Sequence, residues 1–196
     1  MNNIISLENE RAKRSQHQLK LHVELEWIEP RIWRKVIVPE TITLEVLHHV
    51  IQRAFDWKNT HLHEFDFAGT VYSRNDSESD SNLALSEKTA LKTALGKLEY
   101  FTYLYDFSDQ WLHILSIEGR QPQNLEKGAI AYCFEGANAA PPEDVGGVAG
   151  YEYFQSVMAN PKHPEYRSMK RWFKGSFNPE LFDLDQINHS LADVVL

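Results

Sequence analysis

The sequence predicts an α+β protein: a mainly antiparallel sheet with a hairpin, helix and hairpin (β-grasp-like) core, followed by C-terminal helices. Three observations carry that prediction. From Leu19 to Trp27, apolar Leu19, Leu21, Val23, Leu25 and Trp27 alternate with Lys20, His22, Glu24 and Glu26, the period-two pattern of a half-buried strand. In TLEVLHHVIQRAF, Leu44, Leu47, Ile51, Ala54 and Phe55 recur at helical spacing. Beyond Gly147 helical spacing takes over from the short strand-like runs.

Residues 1–18 are expected to form a flexible N-terminal extension, and residues 19–196 a single domain. After the first strand, Glu29-Pro30-Arg31 turns the chain and IWRKVIVP returns it, ending at Pro39, so the two runs pair as a hairpin. Thr43 is placed to cap a helix over Thr43 to Phe55, with Glu45 in the first turn where the helix dipole favours an acid. HLHEFDFAGTVYS then forms a hairpin turning near Ala68-Gly69. RNDSESDSNLALSE, residues 74–87, is rich in Ser, Asp, Asn and Glu with little to bury, and reads as a solvated, mobile loop. YFTYLYDF and WLHILSIE make a third hairpin around Ser108-Asp109-Gln110, and AIAYCFEG one further short strand. Tyr151, Phe154 and Met158 are spaced for a helix that Pro161 and Pro164 break. HPEYRSMKRWFKG gives a second helix ending at Gly175, and Phe182, Ile187 and Leu191 imply a last helix on the core.

With 196 residues, 42% of them hydrophobic, the chain is long enough to bury its own core. Its 20 Lys and Arg against 28 Asp and Glu leave a net charge of −8, a field that disfavours non-specific nucleic-acid binding. No apolar run approaches the roughly 20 residues of a membrane-spanning helix, and MNNIISLENERAKRSQHQ has no secretory signal pattern. A cytoplasmic protein without membrane contact is expected. The one cysteine, Cys133, has no partner for an internal disulfide.

Three segments carry candidate chemistry. His61 and His63 lie two apart, which on a strand puts them on one face. With Asp109 at a hairpin tip and His113 on the next strand, they make a candidate set for a divalent metal such as zinc. The competing reading is of core histidines bonded to backbone carbonyls. In the same way His48 borders the apolar helix face, where packing is its role. In PPEDVGG, residues 141–147, the prolines stiffen the chain and the glycines free it. Asp144 is expected to hold the turn or cap the helix that begins near Val148. Glu143 is expected to be more exposed to a ligand, both acids are candidate catalytic residues or metal ligands, and Cys133 is a further metal-competent group. Lys170, Arg171 and Lys174 with interleaved aromatics are a candidate nucleic-acid stripe. Against this, Tyr166, Met169 and Trp172 or Phe173 have the spacing of residues that pack inward.

IEPRIWRKVIVP, LHHVIQRAFDWKNTHLHEF, YLYDFSDQWLHILSIE, CFEG, PPEDVGGVAGYEYF and FNPELFDLDQIN occur in this order, and with them the chain resembles the plasmid pRiA4b ORF-3-like family from near residue 19 to near residue 190. The resemblance implies an uncharacterised protein associated with plasmids and mobile elements. Some relatives carry a resolvase-like label, but strand transfer needs an activated serine among arginines, and no serine here sits in an arginine-rich motif. Ser108 stands where relatives tend to have glycine. Ala140 and Val145 stand where many have cysteine, so no thiolate-rich site carries over. The expected function is a binding or accessory module of mobile elements. The alternative is a metal-dependent hydrolase built on His61, His63, His113 and nearby acids, and a third reading is a domain with protein partners only. Whether the chain is an enzyme stays open at this point, as do its ligand and partner.

Overall fold

A computed structural model describes residues 17–73, 84–122, 124–125 and 129–194. Among them the chain forms eight strands: β1 (His17–Leu25), β2 (Ile32–Pro39), β3 (His63–Phe67), β4 (Thr70–Ser73), β5 (Ala84–Ser86), β6 (Tyr100–Tyr105), β7 (Trp111–Pro122) and β8 (Tyr132–Ala137). Five helices accompany them: α1 (Leu44–Ala54), α2 (Leu91–Leu95), α3 (Gly147–Met158), α4 (Tyr166–Phe173) and α5 (Leu184–Leu191). The strands make one sheet in the order β5-β4-β3-β6-β7-β1-β2-β8. Seven pair antiparallel, and β5 joins parallel beside β4.

All three expected hairpins are present. Alternation fixes which face each strand buries, because a one-residue slip would turn every apolar side chain to water. Leu19, Leu21, Val23 and Leu25 are buried on β1, and Ile32, Val36 and Val38 on β2. The hairpin, helix, hairpin order also holds along the chain. Beyond its own hairpin, however, β1 pairs with β7 in antiparallel fashion, so the sheet is wider and more uniformly antiparallel than that order alone indicates.

Helix α1 lies on the buried face with Leu44, Leu47, Val50 and Ile51 at 0–1% exposure. Thr43 is its N-cap, its hydroxyl oxygen accepting from the Val46 N–H at 3.2 Å. Two more of the N–H groups left free at a helix start donate to the segment before α2: Leu44 to the Thr89 carbonyl and Glu45 to the Glu87 carbonyl. This corrects the expected loop over 74–87 at its C-terminal end. Residues 84–86 form β5, whose pairing satisfies backbone groups of the β4 edge, and Glu87 is buried. Residues 74–83 lie outside the described residues. A second correction falls at the N-terminus: His17 and Gln18 belong to β1, and the fully buried Gln18 amide exchanges bonds with Asn124. The rest of the expected extension, residues 1–16, is outside the described residues.

At the C-terminal end α3 buries Tyr151, Phe154 and Val157, and α5 buries Ile187 and Leu191. Asp183 caps α5 through the Gln186 N–H. Asn188 reaches from α5 to the backbone of Cys133, accepting from its N–H and donating to its carbonyl, which covers that point of the β8 edge. Helix α4 stops at Phe173, and Lys174, not Gly175, takes the left-handed conformation after it, with φ of 61°. No α4 residue is fully buried: Met169 and Phe173 pack partly on the core, and Trp172 stays 45% exposed.

Leu47 is fully enclosed between α1 and the sheet, so Leu47→Ala is expected to lose about 2 to 5 kcal/mol, the usual range for emptying such a position. Urea melts measure this directly.

Candidate functional site

The PPEDVGG loop is fixed by bonds to three other segments. Trp57, just after α1, donates its indole N–H to the Pro141 carbonyl at 2.8 Å. The Glu143 carboxylate accepts from the Lys58 N–H (2.6 Å), the Tyr105 hydroxyl (2.9 Å) and the Thr60 hydroxyl (2.5 Å). The Gly146 N–H donates to Asp109 Oδ2 at 3.0 Å from the turn between β6 and β7. Gly147 has φ of 67°, and a Cβ on it would lie 2.7 Å from the Asp109 carbonyl oxygen, so only glycine lets the hairpin tip come this close.

These contacts reverse the expected roles of the two loop acids. The Glu143 side chain is 8% exposed and holds the loop, while the Asp144 side chain is 68% exposed. The reason is backbone conformation. A side-chain N-cap sits in extended backbone, but Asp144 is left-handed with φ of 59°, and the capping position of α3 falls to Gly146, which has no side chain to bond. Asp109 supplies the bond to the turn instead.

Asp144 turns toward His61. His61 Nε2 lies 3.1 Å from Asp144 Oδ1, 3.6 Å from Asp106 Oδ2 and 3.8 Å from Glu143 Oε2. The ligand atoms of His61, Asp106 and Asp144 all fall within 4.8 Å of one another. Asp106 was not among the expected site residues. It is 4% exposed with φ of 58°, and its Oδ1 accepts from the N–H groups of Ser108 and Asp109. That is the local side-chain-to-backbone pattern aspartate makes in turns, and Asp106-Phe107-Ser108-Asp109 carries it in the sequence.

The other expected metal-site residues go elsewhere. β3 begins at His63, so His61 precedes the strand and does not share its face. His63 bonds the buried Glu87 carboxylate at 2.9 Å, and its ring stacks on that of His48 with centroids 3.6 Å apart. Glu87 was missed because its segment reads as loop. His113 is fully buried against the edges of Phe55 and Trp57, and its Nδ1–H donates to the Trp111 carbonyl at 3.0 Å. Burial pulls its pKa down to about 3, which keeps the ring neutral. Asp109 faces Gly146, as above.

Beside the loop lies a cleft of about 530 Å³ between the end of α1, the PPED segment and the C-terminal helices. Glu143 and Asp144 line it from one side, Trp172, Phe177 and Leu181 from the other. At its floor is Arg34, whose guanidinium donates to the carbonyls of Trp33, Ala54, Ala137 and Asn138 at 2.8–2.9 Å, between the rings of Phe55 and Phe182. Burial lowers its pKa to about 10, so it stays charged near neutrality. Of the nucleic-acid candidates, Lys174 lines the cleft. Lys170 and Arg171 are exposed on α4 outside that lining, Lys170 over the Tyr166 ring.

Fold and site together define an α+β protein in which a stiff acidic loop is locked beside a cleft on an antiparallel sheet. The chain belongs to the plasmid pRiA4b ORF-3-like protein family, whose pattern matches residues 17–186. It is 33% identical over 179 residues to an uncharacterised protein of Sinorhizobium fredii, covering 90% of this chain and 91% of that protein. It also resembles the crystal structure of a protein of unknown function from Methanosarcina mazei Go1, with a TM-score of 0.79 and 33% identity over 89% of this chain and 98% of that one. Among the described residues no helix is long and apolar enough to cross a membrane.

Glu143→Ala leaves three donors without their acceptor and is expected to destabilise by about 1 to 3 kcal/mol, whereas Asp144→Asn, which keeps a residue tolerant of left-handed backbone, should shift stability by less than about 0.5 kcal/mol. Denaturant melts of the two variants check this ordering. His113 gives a pH signature. Below its ordinary value of 6.5 the unfolded chain takes up a proton that the folded chain refuses down to about pH 3. Its contribution is therefore whole above 6.5 and is lost as pH falls through that window, by up to about 1.4 kcal/mol per pH unit. Urea midpoints of His113→Leu across the window should fall less steeply than those of the wild type.

Proposed function

We propose that the chain is a cytoplasmic binding or accessory module of mobile-element biology, and that the cleft beside the PPEDVGG loop is its working surface. The observation that supports this is the pairing of the cleft's two walls. One is the loop, held by bonds to three other segments. The other carries Trp172 and Leu181, large apolar side chains left 45% and 55% exposed. Exposed aromatic and aliphatic groups at a concave site are the usual anchors of a partner. The charges around them are mixed, with Arg53, Lys58 and Lys174 against Asp56, Asp144 and Asp183. That mixture and the net charge of −8 suit a polypeptide segment better than a phosphate backbone.

In cells deleted for the gene, retention of the element that carries it should be restored by the wild-type chain. It should not be restored by a Trp172→Glu, Leu181→Glu chain whose stability stays within about 0.5 kcal/mol of wild type, as expected for surface changes. Equal restoration by both chains would remove the cleft from the function.

A metal-dependent hydrolase is the second reading, and one observation favours it: the His61, Asp106 and Asp144 cluster opens to the cleft through Asp144. Of the expected ligands the set keeps His61 and Asp144, and Asp106 stands in place of His63, Asp109 and His113. This reading requires hydrolysis of a phosphoester or amide substrate that depends on added Mn2+ or Zn2+ and is abolished in His61→Ala. Turnover indifferent to both would remove it.

A further inference from the structure

We infer that His61 Nε2, Asp106 Oδ2 and Asp144 Oδ1 form a binding site for one divalent first-row transition-metal ion, with Glu143 Oε2 alongside. The first ground is geometry. Donor atoms around one ion at roughly 2.0 to 2.2 Å lie some 3 to 4 Å from each other. His61 Nε2 stands 3.1, 3.6 and 3.8 Å from the three carboxylate oxygens that face it.

The second ground is the state of His61 itself. Its Nε2 is shielded from solvent and makes no hydrogen bond, although carboxylates surround it. The ring packs edge-to-face with Tyr105, centroids 5.8 Å apart, and its nitrogen lies within 3.8 Å of all three acids without a hydrogen bond to any of them. An imidazole nitrogen held among several acids and bonded to none of them is the posture of a metal ligand.

The third ground is preorganisation. Asp106 is held by two backbone N–H groups through Oδ1, and Glu143 by three donors. Both acids are thereby held beside His61 whether or not anything lies between them, and a dication offsets the repulsion of like charges gathered there. Asp144 is the exposed member, 68% exposed at the cleft's edge, and faces the ion from the solvent side. One imidazole with two or three carboxylates and no thiolate suits Mn2+ or Zn2+. Cys133 lies apart from the cluster, under α5 and bonded to the Glu135 carbonyl.

The site does not depend on what the cleft holds, and it is tested without a partner. Full-length chain stripped with a chelator is titrated with Mn2+ by electron paramagnetic resonance, then with Zn2+ as competitor. One Mn2+ per chain should bind in the micromolar range and be displaced by Zn2+. Affinity should fall at least about tenfold in His61→Ala and in Asp144→Asn, since even outer partners of a metal ligand have effects of that size. It should be unchanged in His189→Ala, a control on the exposed face of α5. Asp144 is exposed, so its variant stays informative if His61→Ala fails to fold. Absence of binding at millimolar free Mn2+ and Zn2+, or binding that both site variants retain, overturns the inference and leaves His61 as an ion-pair partner of the acids.

Discussion

The Glu143 carboxylate is the constraint on which the site depends. Its donors come from the chain just after α1 and from the last residue of β6, two places whose positions are set by the hydrophobic core. The loop is thus referred to the core through one side chain. Burial, aided by the nearby Glu143 charge, pushes the Tyr105 pKa up to about 12, so its hydroxyl keeps its proton and remains a donor through the physiological range. Trp57 acts in the same two-ended way: its ring stacks on Tyr105 at 5.1 Å while its N–H holds Pro141. Aromatic residues with a polar tip are suited to this junction, because the ring contributes burial and the tip a directed bond.

Arg34 fixes the approach to the same loop. It is a buried cation compensated by four carbonyl oxygens and two aromatic faces. One of those oxygens, Ala54, lies at the C-terminal end of α1, where the helix dipole favours positive charge. Two others, Ala137 and Asn138, belong to the chain entering the loop. The segment is therefore pinned at three points along its length: at 137–138 by Arg34, at 141–143 by Trp57, Lys58, Thr60 and Tyr105, and at 146 by Asp109. The Asp144 side chain lies between the last two pins and is left free to meet His61 or a ligand.

Much of the fold was legible because it rests on local periodicity. The alternation of β1 and the helical spacing of α1 each bury a face that sequence alone defines, and the Thr43 cap follows from the residue type. The edge strand β5 was not legible, since its segment is polar and its role is to satisfy backbone groups of β4, and neither were the carbonyls of Glu87 and Thr89 after it that receive the α1 N-terminus. For the site, PPEDVGG was recognisable as a stiff acidic loop and His61 as a candidate ligand. The division of labour between Glu143 and Asp144 was not, because it turns on a left-handed residue and on donors from residues 58, 60 and 105. His63 and His113 follow the strand pattern and point inward, as that pattern requires. What the pattern does not tell is that Glu87 and the Trp111 carbonyl await them there.

The direct test of a loop locked by one carboxylate is a double-mutant cycle between Glu143 and Tyr105. Glu143→Ala and Tyr105→Phe each remove the bond between the two side chains, and stabilities of the single and double variants measured by urea unfolding give the coupling. A loop locked in this way requires a coupling of about 1 kcal/mol or more, within the range seen for residues sharing a buried polar network. Free energies that add to within about 0.3 kcal/mol, as for sites that do not touch, would contradict it.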